Sequence, residues 1–260
     1  MYEMEIRNSS PVLQVARRLH NYAWLAIYFP YFCAVLKRKH QFVKLLPVFV
    51  SGWHLATKYF RARDAAGNEF FIKTDSSYAT LENEASLSRK LYNTGVNTPE
   101  LVAVDSCCNK KYMVYRYVSG MRLADLMEQA LWLNERRASA LVTQLIEMLD
   151  GLYAARVVHR DLTPGNILIS QSARNEFTSY LIDFSFSVDL DDRSLLRSIP
   201  YWVERELGGA YRMKEGVWDD AYSVLKILRE VEGKLEETLS VGTNEVEKKL
   251  GRIRYEWKLP

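Results

Sequence analysis

The octapeptide His159-Arg160-Asp161-Leu162-Thr163-Pro164-Gly165-Asn166 constrains this chain more than any other stretch. It lies between two apolar, strand-like runs, Val157-Val158 and Ile167-Leu168-Ile169, which pin a polar loop at both ends to buried backbone. Alone, the loop would read as an ordinary Pro-Gly turn. A second segment raises its meaning. In Leu181-Ile182-Asp183-Phe184-Ser185, apolar residues again deliver an aspartate to the end of a strand. Two such segments, in this order, point to a site and not to two unrelated turns.

The remaining chain has to supply a scaffold. With 260 residues, 48% hydrophobic, it can bury one domain core or those of two small lobes. Ser10-Pro11 reads as a helix start, and residues 1–46 as a helical extension. From Val48 the pattern changes to two β-branched and aromatic strands around Ser51-Gly52, and Ala65-Ala66-Gly67-Asn68 then turns into the strand Glu69–Lys73. A helix follows, then two more strands (Glu100–Asp105 and Lys111–Val118), a long periodic helix from Glu135 to Ala155, and a last helical zone from about Asp219. In the first of these helices Leu81, Leu87, Ser88 and Leu91 share one stripe and Glu84 falls within it, while Glu82 points away. A carboxylate on a buried face needs a partner.

The octapeptide matches the pattern H-R-D-x-x-x-x-N, and Asp183-Phe184-Ser185 is similar to D-F-G with serine for glycine; through both the chain resembles the protein-kinase superfamily. The resemblance implies an α+β, two-lobed fold: a small antiparallel five-stranded N-lobe with one helix (47–118) and a mainly helical, truncated C-lobe (119–260), preceded by the basic, aromatic extension 1–46. It implies ATP and Mg2+ as cofactors. Asp161 would orient the acceptor hydroxyl, Asn166 and Asp183 would hold magnesium, and Lys73 would pair with the ATP phosphates, steadied by Glu84. Tyr115, Arg116, Tyr117 and Val118 occupy the stretch where kinases bind adenine through backbone groups. Pro200–Glu206 resembles the end of an activation segment, with Glu206 as its terminal glutamate, and Asp220 resembles the helix aspartate that grips the catalytic loop. An ordinary helix N-terminal acid is the other reading of Asp220.

The sequence also departs from the pattern. No G-x-G-x-x-G is present, only Gly52 in the first turn; Phe71 stands where alanine is usual, and Thr163 replaces the lysine typical of serine/threonine kinases. With only 40 positions after Asp220, the chain looks most like the compact bacterial lipopolysaccharide sugar kinases. The expected acceptor is therefore an envelope glycan or glycolipid. A serine/threonine protein kinase is the alternative, and a non-catalytic pseudokinase module a further one.

The extension carries seven basic residues against two acidic ones. Its uncharged stretch from Leu19 to Leu36 is flanked by Arg17, Arg18 and by Lys37, Arg38, Lys39, and its dense apolar part is too short for a transmembrane helix. Two readings stand open: a helix covering the back of the domain, or a segment at an anionic membrane surface. Three cysteines without metal-ligand spacing and an N-terminus unlike a signal peptide suggest a reduced, cytoplasmic setting, peripheral at the inner membrane face. No nucleic-acid partner is expected.

Overall fold

The computed structural model describes residues 11–48, 57–75, 80–92, 94–107, 110–129, 134–171, 176–195, 199–235 and 240–257. The fold is the expected two-lobed α+β one, a small antiparallel sheet followed by a mainly helical part. By its contacts the chain divides into two compact units, residues 1–81 with 100–117, and residues 82–99 with 118–260.

The first unit opens with helix α1 (Pro11–His40). Strands β1 (Phe42–Pro47), β2 (Tyr59–Asp64), β3 (Glu69–Thr74), β4 (Leu101–Cys107) and β5 (Lys110–Arg116) form one antiparallel sheet in the order β1-β2-β3-β5-β4. The first strand differs from expectation. Sequence reading continues the helical extension to residue 46, yet the helix stops at His40, Gln41 takes a positive φ of 56°, and Phe42 and Leu45 turn inward on a strand paired with β2. A bulge between Phe42 and Lys44 breaks the period-2 pattern that would have announced it. The expected turn at Ser51-Gly52 lies outside the described residues. The β2–β3 turn forms as read: Asn68 donates both its backbone N–H and its side-chain amide to the Asp64 carboxylate, each at 2.8 Å.

The two faces of this sheet differ. Phe60, Ala62, Phe70, Ile72, Tyr112 and Val114 form one buried cluster with Phe32 and Leu36 of α1. Alternate residues of β3, Phe71 and Lys73, lie on the opposite, less buried face.

The second unit begins with α2 (Leu81–Tyr92), whose Leu87 and Leu91 join the large core. That core is built mainly on α4 (Glu135–Ala154) and α6 (Asp220–Leu235), with Leu123 and Leu126 of the short α3 (Leu123–Met127) and Val246 of α7 (Ser240–Glu247) closing it. Asn134 caps α4 by accepting from the Arg137 N–H at 3.0 Å. Small strand pairs frame the octapeptide: β7 (Val157–Val158) pairs with β10 (Val188–Asp189), and β8 (Ile167–Gln171) lies between β6 (Met121–Arg122) and β9 (Phe177–Leu181). No helix among the described residues is long and apolar enough to cross a membrane.

Candidate functional site

The octapeptide is a loop held from below by buried polar groups. His159 is fully buried; its backbone N–H donates to Asp220 Oδ2 at 2.7 Å, and its ring packs edge-on against Phe184 at 5.1 Å. Its Nε2 lies 3.0 Å from the carbonyl of Ile182. A carbonyl only accepts, so this nitrogen carries the proton. Burial pushes the imidazole down to about 4, so the ring stays neutral near pH 7 and braces the loop. Asp220 is itself buried, and burial raises its carboxyl to about 7. Of its two readings the geometry favours the grip on the loop. The helix-capping role falls to its neighbour Asp219, which accepts from the Ala221 N–H at 2.9 Å.

Asp161 is partly buried and clamped from two sides. One carboxylate oxygen accepts from the Gly208 N–H at 3.0 Å and the other from Asn166 Nδ2 at 3.0 Å. The same Nδ2 group donates to the Asp161 carbonyl at 2.7 Å. Desolvation first, and then the neighbouring Asp183 charge, push Asp161 up to about 6. Because the amide hydrogens of Asn166 face Asp161, its side-chain oxygen is turned away from that carboxylate.

Asp183 follows β9 and is exposed, with a φ of 65°. Arg160 has a φ of 68°. Non-glycine residues enter this region at a cost, and such strain concentrates at functional sites. Phe184 turns inward, 2% exposed.

The Arg160 guanidinium is enclosed in the second unit. It forms a buried ion pair with Glu204 on α5 (Tyr201–Glu206), donates to the Phe186 carbonyl at 3.3 Å, and lies over the rings of Trp218 at 4.3 Å and Tyr255 at 4.9 Å. Glu206, the acid singled out by sequence, is exposed, and the buried partner is the acid two residues earlier. On a helix two residues turn the side chain by about 200°, so reading the register wrongly by two exchanges inside for outside.

Glu84 is 2% exposed, on the stripe where periodicity placed it, and accepts a hydrogen bond from Ser185 Oγ at 2.6 Å. The adjacent Asn83 donates to the Ser187 carbonyl at 2.9 Å, and Ser187 Oγ donates to the His159 carbonyl at 3.1 Å. α2 is thereby tied to the segment after Asp183 and, through it, to the octapeptide. The serine that departs from D-F-G supplies a tie that glycine could not.

In the first unit, Lys73 stands on β3 opposite Tyr59 and Met113, and Phe71 stacks on Tyr59 at 5.8 Å. Tyr115 is buried on β5, with its hydroxyl 3.6 Å from Met113 Sδ. The backbone N–H groups of Arg116 and Tyr117 donate to the carbonyls of Glu100 at 2.8 Å and Glu69 at 3.0 Å. Val118 is the first residue of the second unit's longer segment, residues 118–260.

Two contributors escaped sequence reading, Glu204 and Gly208. Gly208 has a φ of 77°, and a Cβ there would sit 3.0 Å from the Arg160 carbonyl, so glycine is needed both for its backbone angle and for its closeness. A glycine just after a helix is the usual C-terminal signal and was available in the sequence.

The comparisons agree with this geometry. A family model described as "Protein kinase domain" matches residues 55–207, more than half of the chain. The chain is similar to serine/threonine-protein kinase TIO of Arabidopsis thaliana (30% identity over 167 residues, 61% of this chain and 12% of that protein). It is similar to serine/threonine-protein kinase unc-51 of Caenorhabditis elegans (36% over 118 residues; 41% and 14%). The same worm's STE20-related kinase adapter protein strd-1 is 28% identical over 128 residues (47% and 31%). The chain thus spans less than a third of each of these relatives, and their names are those of eukaryotic kinases and a kinase adapter, not of lipopolysaccharide sugar kinases. The family model, matched across the loop, the strand-end aspartate and the Arg160–Glu204 pair, shows that the chain carries a protein kinase catalytic domain and belongs to that family of phosphotransferases.

Proposed function

We propose that this chain transfers the γ-phosphate of ATP to a hydroxyl group, with serine or threonine of a protein as acceptor. The observation that carries the reading is the two-sided clamp on Asp161, by Gly208 N–H and Asn166 Nδ2. A carboxylate fixed in this way is pre-oriented to accept the proton of an incoming hydroxyl, and it does so in its ionised form.

The side-chain oxygen of Asn166 and the exposed Asp183 carboxylate are hard oxygen donors of the type magnesium prefers. Two nearby acids, Asp161 and Asp183, raise the local demand for a cation. Magnesium bound there would offset charge on the phosphates. Among the described residues no cluster of three or more His, Cys, Asp or Glu could hold a metal ion. In this proposal Lys73 binds the ATP phosphates and Glu84 steadies it. With the N–H groups of Arg116 and Tyr117 engaged in the sheet, adenine recognition in the segment Tyr115–Val118 falls to its carbonyls and to the Val118 amide.

A second reading, a sugar hydroxyl of an envelope glycan, draws on Thr163 in place of the lysine typical of serine/threonine kinases. The relatives' names favour a protein acceptor.

The test is incorporation of labelled γ-phosphate from magnesium-ATP into a cell extract separated into protein and glycolipid fractions. Label in protein that falls by about a hundredfold or more with Asp161→Ala, and likewise with Asp183→Ala, is the expected result. Label confined to glycolipid replaces the first reading with the second. No label in either fraction leaves a nucleotide-binding or adapter module.

A further inference from the structure

We propose that the outward face of α1 docks onto an anionic lipid bilayer, lying in the headgroup boundary with the helix axis parallel to the surface. This does not depend on the phosphotransferase reading.

From Trp24 to Leu36 the inward face of α1 packs on the sheet: Phe32 and Leu36 are buried against it, and Trp24 and Phe29 pack on Phe60 at 5.8 and 5.5 Å. The opposite face carries uncharged residues too and faces solvent. Leu19 is 63% exposed, Ile27 68% and Tyr31 61%, and Ala23, Pro30 and Ala34 continue the strip. No Asp, Glu, Lys or Arg occurs from Leu19 to Leu36. At 1.5 Å per residue the strip is about 22 Å long. A continuous apolar strip of this kind on a protein surface marks an interaction site.

Charge selects the occupant. Lys37 and Arg38 are exposed at the C-terminal end of the strip, Arg17 and Arg18 precede it in sequence, and no acidic residue occurs between Pro11 and Leu46. A second copy laid on the same face would set these basic ends against basic ends. An anionic bilayer complements both features at once, with acyl chains for Leu19 and Ile27, the headgroup level for tyrosine, and lipid phosphates for Lys37 and Arg38. Crossing the membrane is a different matter: the helix is too short in apolar length, and its other face belongs to the protein core.

The experiment is sedimentation of the full chain with phosphatidylcholine vesicles, with and without phosphatidylserine, together with light scattering of the lipid-free protein. The expected result is binding to the phosphatidylserine vesicles that weakens as salt rises and falls by about tenfold or more in Ile27→Glu with Tyr31→Glu and in Lys37→Glu with Arg38→Glu. These side chains are exposed, so an unchanged melting temperature shows the variants folded. Binding that is absent, or that both double variants leave intact, overturns the proposal. So does a lipid-free dimer that Ile27→Glu with Tyr31→Glu dissociates, since the face would then belong to a second copy.

Discussion

Phe60 and His159 are equally buried, yet the regions around them hold together in opposite ways. Around Phe60 the contacts are rings: Phe29 stacked at 5.5 Å, Phe32 at 5.1 Å and Trp24 at 5.8 Å. Around His159 they are polar: Asp220 on its backbone N–H, the Ile182 carbonyl on its ring, Ser187 on its carbonyl. Burial of apolar surface is non-directional, and a core absorbs a volume-conserving change at modest cost. A buried hydrogen-bond network does not, because removing one member leaves another without its partner in a low dielectric. The first arrangement supplies stability and the second holds positions, and it is the second that surrounds Asp161 and Asp183.

The sharpest way to break this contrast is at Glu204. Glu204→Ala leaves the Arg160 guanidinium buried and uncompensated, an expected loss of about 3–5 kcal/mol in urea unfolding, together with loss of turnover. Arg160→Met combined with Glu204→Leu removes both charges and should recover most of the stability, while turnover stays low because the loop has lost its anchor. Recovery of both in the double variant would mean that the pair serves stability alone.

A smaller effect is expected on the aromatic side. Phe60→Leu keeps an apolar side chain of similar reach and forfeits ring contacts, so it should cost about 1–2 kcal/mol and leave the rate per folded molecule unchanged. A stability loss as large as that of Glu204→Ala would erase the distinction between the two regions.

The same contrast explains what could be read in the sequence. His159–Asn166 and Asp183 were legible because each is a short contiguous signal flanked by apolar strands, and the Glu84 stripe because a 12-residue helix repeats its pattern often enough to set the register. Glu204 was not, because α5 has only 6 residues and acids at both 204 and 206. Strand β1 was hidden by its bulge, which breaks the period-2 alternation within Phe42–Pro47. The Ser185–Glu84 and Gly208–Asp161 bonds join residues 101 and 47 positions apart, a distance over which no local pattern operates.

The last expected effect is a pH dependence in which buried groups pull in opposite directions. His159 has a folded pKa of about 4 against an ordinary 6.5, so its stabilising term is complete above pH 6.5 and is lost as pH falls toward 4. Asp220 runs the other way: its folded pKa of about 7 against an ordinary 3.8 makes its term complete below pH 3.8 and lost as pH rises through 7. Between about pH 4 and 6.5 the rising His159 term opposes the falling Asp220 term, and Asp161, held up to about 6 against an ordinary 3.8, adds to the falling side. His159→Gln retains a side-chain N–H for the Ile182 carbonyl and removes the titration. The other groups contribute alike to both proteins, so the difference between them isolates the imidazole: across that window stability of the variant should fall relative to wild type as pH rises. Parallel stability curves for the two proteins would show that the His159 ring titrates in the folded loop as it does in the unfolded chain, and that the polar network does not hold it neutral.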